Sequence, residues 1–539
     1  MTKRRISATC VDLDDFGRGI IKFEGHAYFI DDFLPSEEAI IETIYSYGKI
    51  SDAYIVERLK DSQDRVKPIC PYYPDCGGCQ LMHLAYPQQL IYKSKKVKYL
   101  LHKFAHLDLE VLPTIGLKDP TRFRNKVQKP IGLDYRRNLP VAGFYEKKTH
   151  HLIPVNDCLM ESELSSKITK TVLKLLVKYD YYPFDEDEMR GLVRHLLIKT
   201  SSYYKTALVT LVVSDERVPH GVDFAKDLMK EIPEVVGVVF NINSLHTNVI
   251  LGEKNIPVLG ETHIKDRIFN KDFLISTKSF YQTNPSQIET LYGTAIKLAD
   301  LKSTDKVLDA YCGTGTIGLS LADQVKEVIG VEIEPEAVLD AKENAKINNI
   351  TNTTFVEGDC TEYLNKSNEK FDVIIMDPPR KGSTPEFLNA VKKIRPRSLI
   401  YVSCDPVTLS RDLALLSDTY DVKTVQPVDM FPNTMHVETV VSLSQRKSDE
   451  KIKVEVDGDA LPVTKAESKA TYEDIQKYIF DKYGVKVSSL DISRVKTKCG
   501  IKERKNYNLS KSNYYKQPNI TDENERIILE ALKSFKMIG

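Results

Sequence analysis

The stretch from Ser398 to Asp405, SLIYVSCD, is an apolar run that delivers a single thiol, Cys404, to its carboxyl end. A second run, PNTMHVE, closes on a carboxylate, Glu438. A thiol and a carboxylate brought to one pocket can act as nucleophile and base. A lone cysteine is more often a small buried hydrophobe than a reactive group. The context of Cys404 argues the other way: Asp405, Pro406, Val407 and Thr408 follow it, then LSRDLALL at helical spacing, so the thiol stands at a strand end just before a helix. The partial positive charge of that helix amino end is expected to lower the thiol pKa and favour the thiolate.

Other cysteines form a group of their own. Cys70, Cys76 and Cys79 fall in CPYYPDCGGCQ, where prolines and glycines permit a tight wrap around a bound centre. Cys158, in IPVNDC, is the nearest later cysteine and the candidate fourth ligand. Four thiolates suit a four-iron, four-sulfur (4Fe-4S) cluster or a structural zinc, and spacing does not choose between them. With nine cysteines in 539 residues and no secretion signal, a disulfide framework is not expected.

A third group reads as a cofactor pocket. VLDAYCGTGTIGLSLA is a strand, a glycine-rich turn and a helix, with Gly313, Gly315 and Gly318 in a spacing shared with dinucleotide folds. Alone the pattern is weak. Glu332 ends the next run, VIGVE, where a carboxylate accepts both hydroxyls of a ribose. Asp309, at the end of the first strand, would repel a pyrophosphate and help hold a cationic amino-acid tail. Asp359 in VEGDC is placed to meet an adenine amino group, although a solvent-facing turn aspartate is as common there. In FDVIIMDPPRKG four apolar residues lead to Asp377, and two prolines stiffen the backbone where cofactor and acceptor base would meet. The order points to S-adenosylmethionine, not nicotinamide.

Between Val307 and Leu443 apolar runs alternate with helical patterns, the order that builds a parallel sheet with crossover helices and binds ligands beyond the strands' carboxyl ends. Taken in sequence, C-x5-C-x2-C with Cys158, SFYQTNP, LDAYCGTGTIGL, DPPRKG, VSCDPVTLSRDL and MFPNTMHVE resemble the RNA uracil-5-methyltransferase family, specifically its 23S ribosomal RNA branch with an amino-terminal TRAM barrel and a 4Fe-4S cluster. The resemblance implies that Gln282 in SFYQTNP, Tyr311, Glu332 and Asp377 hold the cofactor, that Cys404 is the nucleophile and Glu438 the base, and that the four clustered cysteines hold iron and sulfur. Uracil C5 is a poor nucleophile; a thiolate added at C6 makes it enolate-like, and a carboxylate must later remove the C5 proton. The target uridine is expected to be turned out of its stack.

The expected fold class is α/β: a Rossmann-like methyltransferase domain over 271–445, a TRAM-like β-barrel over 1–60, and a mixed α+β central domain over 61–270 carrying the metal site. A polar linker, 446–470, and a helical extension, 471–539, follow, outside the family pattern. QQLIYKSKKVKYLLHKF is a lysine-rich helix whose cations are a solvated face or, less often, a phosphate-contacting surface. TRFRNKVQKPIG reads as an RNA-binding strand or as an edge strand protected by charge. TYEDIQKYIFDKYG and SSLDISRVKTKCG read as two short helices with local positive charge.

Equal totals of 76 basic and 76 acidic residues exclude a globally basic nucleic-acid binder, so any basic surface is local. No apolar run approaches the roughly 20 residues of a membrane span. A cytoplasmic monomer acting on RNA, with no membrane partner, is expected. An exocyclic amino methyltransferase would want an aromatic residue where Arg380 stands, and has no use for Cys404 and Glu438. A cytosine-5 methyltransferase, a transfer RNA enzyme, an RNA-binding iron-sulfur protein without transferase activity and a dehydrogenase are the remaining alternatives.

Overall fold

The computed structural model describes residues 5–147, 149–367, 369–446, 472–483, 485, 487–498 and 522–534. The chain divides into two compact units, Met1–Lys447 and Ser448–Gly539. Most of the linker expected over 446–470 lies outside the described residues, as do parts of the extension expected over 471–539.

The first unit opens with a six-stranded curled sheet, from Arg5–Thr9 to Ile50–Lys60, closed over Ile21, Ile30, Phe33 and Ile41. A seven-stranded sheet follows, its central strands Ala207–Val213 and Val193–Thr200 buried along nearly their whole length. Such continuous β-branched runs are covered on both faces. Lys126–Asp134, from the TRFRNKVQKPIG segment, pairs with Val193–Thr200 on one side and Leu139–Tyr145 on the other. It is an interior strand, not the exposed edge the sequence allowed, with alternate side chains partly exposed. Its Lys129 is fully buried against Glu161 at 2.6 Å.

The third layer is a seven-stranded sheet in the order Thr353–Glu357, Glu327–Glu332, Lys306–Ala310, Val373–Met376, Ser398–Ser403, Glu438–Gln445, Tyr420–Val428. The first five run parallel; Glu438–Gln445 is antiparallel to Ser398–Ser403, with Ser403 opposite Thr439. The order reverses at Lys306–Ala310, the switch point beyond which open α/β sheets bind ligands. Two apolar clusters, on either face of this sheet, fix its helices.

Glu438 therefore opens its strand, where the sequence pattern had it closing one. Because that strand runs backwards, its first residue lies at the same edge as the carboxyl ends of the parallel strands. Antiparallel pairing is what brings Glu438 beside Cys404.

In the second unit the helices Tyr472–Tyr483 and Ser489–Lys498 match the two short helices expected, and a third, Asp522–Ser534, joins them around Ile475, Ile479, Ile492, Ile528 and Leu532. Among the described residues no helix is long and apolar enough to cross a membrane.

Candidate active site

Cys404 sits between the strand Ser398–Ser403 and the helix Pro406–Leu416. Asp405 caps that helix, its side chain accepting from Val407 N at 2.8 Å and Thr408 N. The helix amino end is thus neutralised by a carboxylate and is not offered to the thiol. Burial pushes the Cys404 thiol up to about 12, with Glu438 and Asp377 adding to the shift and Arg380 opposing it. The expected lowering does not occur: through-space acids and desolvation outweigh a dipole already spent on its cap.

Glu438 is 3% exposed, and its Oε2 has no hydrogen-bond partner. Burial, then the charge of Asp377, hold its carboxyl well above the usual range, against Arg380. Asp377 follows Val373–Met376; burial raises it to about 7, against a hydrogen bond from the Gln282 side chain. One thiol, two carboxyls and one guanidinium therefore share a field. Sequence reasoning weighed Arg380 only as the absence of an aromatic; the structure puts it opposite both reactive groups.

The DPPRKG loop is held rigidly. Gly382, at φ +74°, lies so close to the helix Pro406–Leu416 that a Cβ there would meet Arg411 at 2.5 Å and Asp412 at 2.7 Å. Arg411 donates to the carbonyls of Lys381 and Ser383, both at 3.0 Å, and Thr408 Oγ1 donates to that of Arg380 at 3.1 Å. Asp377 and Cys404 are positioned by one clamp.

Glu332, at the end of Glu327–Glu332, accepts from Gly313 N at 3.0 Å and from Ile333 N at 2.8 Å. Above Gly313, at φ +53°, a Cβ would meet nothing within 4 Å, so the turn leaves open space beside this carboxylate. Asp309 is 1% exposed and lies beneath the glycine turn; one oxygen accepts from Gly318 N at 2.8 Å and the other has no partner. Burial raises it to about 7. Tyr311 adopts φ +62°, its hydroxyl 3.5 Å from Ser383 Oγ and its ring against Phe387. Asp359 is exposed and caps the helix Cys360–Lys366, accepting from Thr361 N at 2.8 Å. Gln282 is buried; its carbonyl accepts from Asn125 Nδ2 at 3.1 Å. Tyr292, on the helix Pro285–Leu298, meets the Gln282 side chain and feels Asp377. It went unremarked in the sequence because a tyrosine at core spacing carries no other signal.

Cys70, Cys76, Cys79 and Cys158 line one cavity of about 370 Å³, together with Arg124 and Lys126. Thr283, next to Gln282, and Thr434, in the approach to Glu438, line it too, so this cavity adjoins the loops of the first site. Burial raises the thiols of Cys76, Cys79 and Cys158, the last to about 11. Arg122 and Lys129 nearby are paired with Asp157 and Glu161, at 2.7 and 2.6 Å. Arg124 and Lys126 have no ion pair among the described residues, and burial lowers both. Among the described residues no three metal-ligating side chains are close enough to hold a single ion.

Asn433 joins the two sites. Its carbonyl accepts from Gln80 N and Leu81 N at 3.0 and 2.9 Å, just after Cys79, and its side chain donates to the Pro120 carbonyl at 3.1 Å. The same loop is anchored by Lys93, which is fully buried, 2.5 Å from Asp429 and 2.9 Å from the Phe431 carbonyl. Lys96 donates to the carbonyls of Asp15 and Met435 at 2.7 and 3.0 Å. These two lysines are neither solvated nor open to phosphate. Their spacing with Gln89, Val97 and Leu100 puts Lys93 on the buried stripe, a signal the sequence held.

The parallel sheet, the glycine turn at its switch point and the acidic residues at its carboxyl edge define a methyltransferase of the S-adenosylmethionine-dependent class. The sequence profile of the tRNA (uracil-5-)-methyltransferase family matches residues 235–446. The chain is 39% identical over 448 residues to an uncharacterized RNA methyltransferase of Halalkalibacterium halodurans, covering 81% of this chain and 96% of the relative. It is 40% identical over 443 residues to one of Clostridium acetobutylicum, covering 80% and 96%. Among solved structures it is similar to the tRNA (uracil-54, C5)-methyltransferase of Pyrococcus abyssi bound to S-adenosyl-L-homocysteine, with a TM-score of 0.66, 26% identity, and coverage of 81% of this chain and 99% of that one. The chain belongs to the RNA (uracil-5-)-methyltransferase family.

Proposed function

We propose that the protein methylates C5 of a uridine in RNA through a covalent intermediate on Cys404, with Glu438 as the base. The observation that carries this is the meeting of Cys404 and Glu438 at one sheet edge, both facing Asp377 and Arg380. S-adenosylmethionine, when bound, supplies an electrophilic methyl on a cationic sulfur. Glu332, Gly313, Tyr311, Asp377 and Gln282 form its pocket, with Asp309 beneath the glycine turn and Asp359 at the rim.

The acids that raise Cys404 are the groups a cation would quiet. Arg380 lowers the cost of the Cys404 thiolate; on losing its proton to solvent, the sulfur would add to C6. The enolate-like C5 would then take the methyl group as the donor's S–CH3 bond breaks, leaving S-adenosyl-L-homocysteine. Glu438, in its ionised form, which Arg380 favours against burial, would remove the C5 proton, and the Cys404–C6 bond breaks with recovery of the double bond.

We assign the four-thiol cavity to a 4Fe-4S cluster held by Cys70, Cys76, Cys79 and Cys158. Two half-buried cations with no ion pair among the described residues, facing four thiols in one cavity, suit an anionic occupant. The occupant supplies structure, holding the turn that Asn433 ties to the Glu438 loop. The amino-terminal curled sheet is read as a TRAM-like RNA-binding barrel.

The substrate proposed is 23S ribosomal RNA, on the motif set that includes the four cysteines; likeness to a transfer RNA enzyme favours transfer RNA as the second reading. Mapping 5-methyluridine in both RNAs of a deletion strain, complemented by wild type or Cys404→Ala, tests the whole proposal. Loss of one ribosomal 5-methyluridine, restored only by wild type, is expected; restoration by Cys404→Ala refutes the covalent route.

A further inference from the structure

The helix Tyr86–Leu100 and the π-helical turn Leu101–Ala105 that continues it contain no acidic residue. Their inner side is accounted for by Lys93, Lys96, Val97 and Leu101. Their outer side is not. Lys95, Lys98, Tyr99, Lys103 and Phe104 are all exposed, Tyr99 by 54% and Phe104 by 44%. Residues 95, 98 and 99 share one face by helical spacing, and the π turn carries 103 and 104 onto its end. Lys103 Nζ lies 5.2 Å from the Tyr99 ring centroid and 5.0 Å from that of Phe104. None of the three lysines has a carboxylate partner within ion-pair distance among the described residues; the charge of Asp15 is felt by Lys103 without pairing it.

This surface is tied to the reactive thiol. The helix Pro406–Leu416, which begins two residues after Cys404, packs directly on the π-helical turn. Lys96, one residue along from Lys95, feels the charge of Asp405. We propose that this outward face is the platform on which the RNA strand flanking the target uridine docks, the lysines on its phosphates and Tyr99 and Phe104 against its unstacked bases. The charge decides the occupant: a helical face that carries three unpaired lysines and no carboxylate of its own, interleaved with exposed aromatic rings, is complementary to a polyanion that carries stackable bases. A nucleotide turned into the Cys404 pocket leaves unstacked neighbours at its mouth.

The proposal rests on RNA being the substrate and is tested by binding alone, so its failure is separate from failure of the covalent mechanism. Full-length wild type, the triple variant Lys95→Ala/Lys98→Ala/Lys103→Ala and Tyr99→Ala are titrated with unmethylated ribosomal RNA from the deletion strain across a salt series. For the triple variant the slope of log affinity against log salt is expected to flatten by about 2, at roughly 0.7 per lost single-strand phosphate contact. Tyr99→Ala is expected to bind about 5- to 100-fold more weakly with its slope unchanged. Both should raise KM for RNA, leave kcat at saturating RNA within about twofold, and leave S-adenosylmethionine affinity unchanged. Wild-type affinity and slope in the triple variant overturn the proposal, including the case in which a protein partner covers this face. A Lys103→Arg control, which keeps charge and ring contact, should bind as wild type.

Discussion

Two cysteine sites lie side by side in the first unit, and the balance of charge around them differs. Around Cys404 stand Glu438, Asp377 and Asp405, with Arg380 as the opposing cation. Around Cys70, Cys76, Cys79 and Cys158 stand Arg124 and Lys126, neither in an ion pair among the described residues, with Glu161, paired to Lys129, as the one carboxylate in the cavity lining. Burial raises the thiols at both sites; beside Cys404 the acids Glu438 and Asp377 add to that cost, whereas at the second site Arg124 offsets part of it at Cys79 and Lys129 part of it at Cys158. On the proposed function the same side chain serves transient reaction in one place and ligation in the other, and what separates the two sites is their neighbours, since burial raises thiols at both.

The sharpest way to break the comparison is to remove one sulfur from each site. Cys404→Ser should reduce methyl transfer by at least about 10⁴-fold, the scale on which loss of a nucleophile acts, while leaving iron content and visible absorbance as in wild type. Cys79→Ser should do the reverse, losing the iron-sulfur absorbance and melting at lower temperature, with residual turnover that tracks the folded fraction. Equal effects of the two variants on either readout would erase the distinction.

The Lys93–Asp429 pair sharpens it on the structural side. Lys93→Met leaves Asp429 buried and uncompensated, for which a loss of about 3–5 kcal/mol is expected in denaturant unfolding, largely recovered on adding Asp429→Asn. Failure of the second change to recover stability would mean that Lys93 acts through packing alone.

A smaller effect follows from Asp309. Its pKa rises from 3.8 to about 7 on folding. Below about pH 4 the group is neutral in both states and carries no penalty. As pH rises toward 7 the unfolded chain ionises it readily and the folded chain does not, so stability falls through that window. Asp309→Asn, which still accepts from Gly318 N, should therefore match wild type at pH 4 and exceed it at pH 8, by at most about 4 kcal/mol. A pH-independent difference would place the carboxylate's burden elsewhere.

Local motifs made the catalytic sheet, the glycine turn and both cysteine groups legible, because a strand end, a turn and a helix start lie within a few residues of each other. Direction was not legible: an apolar run reads the same whether its strand runs parallel or antiparallel, and Glu438 was placed at the wrong end of its strand though at the right edge of the sheet. The thiol pKa was not legible either, since it is set first by burial and then by Glu438 and Asp377, 34 and 27 positions away in sequence. Lys93 was read with its solvated neighbours although its i, i+4 partners are buried. Asn433 carried no signal at all, because its partners Gln80, Leu81 and Pro120 lie more than 300 residues earlier.

The division of labour between Cys404 and Glu438 is tested most directly by intact mass of Glu438→Gln after incubation with substrate RNA and S-adenosylmethionine. With the base removed, the protein should accumulate as a denaturation-stable adduct bearing the RNA and one added methyl group, bonded through Cys404. Slowed turnover with no adduct, or an adduct mapped to another residue, would contradict it.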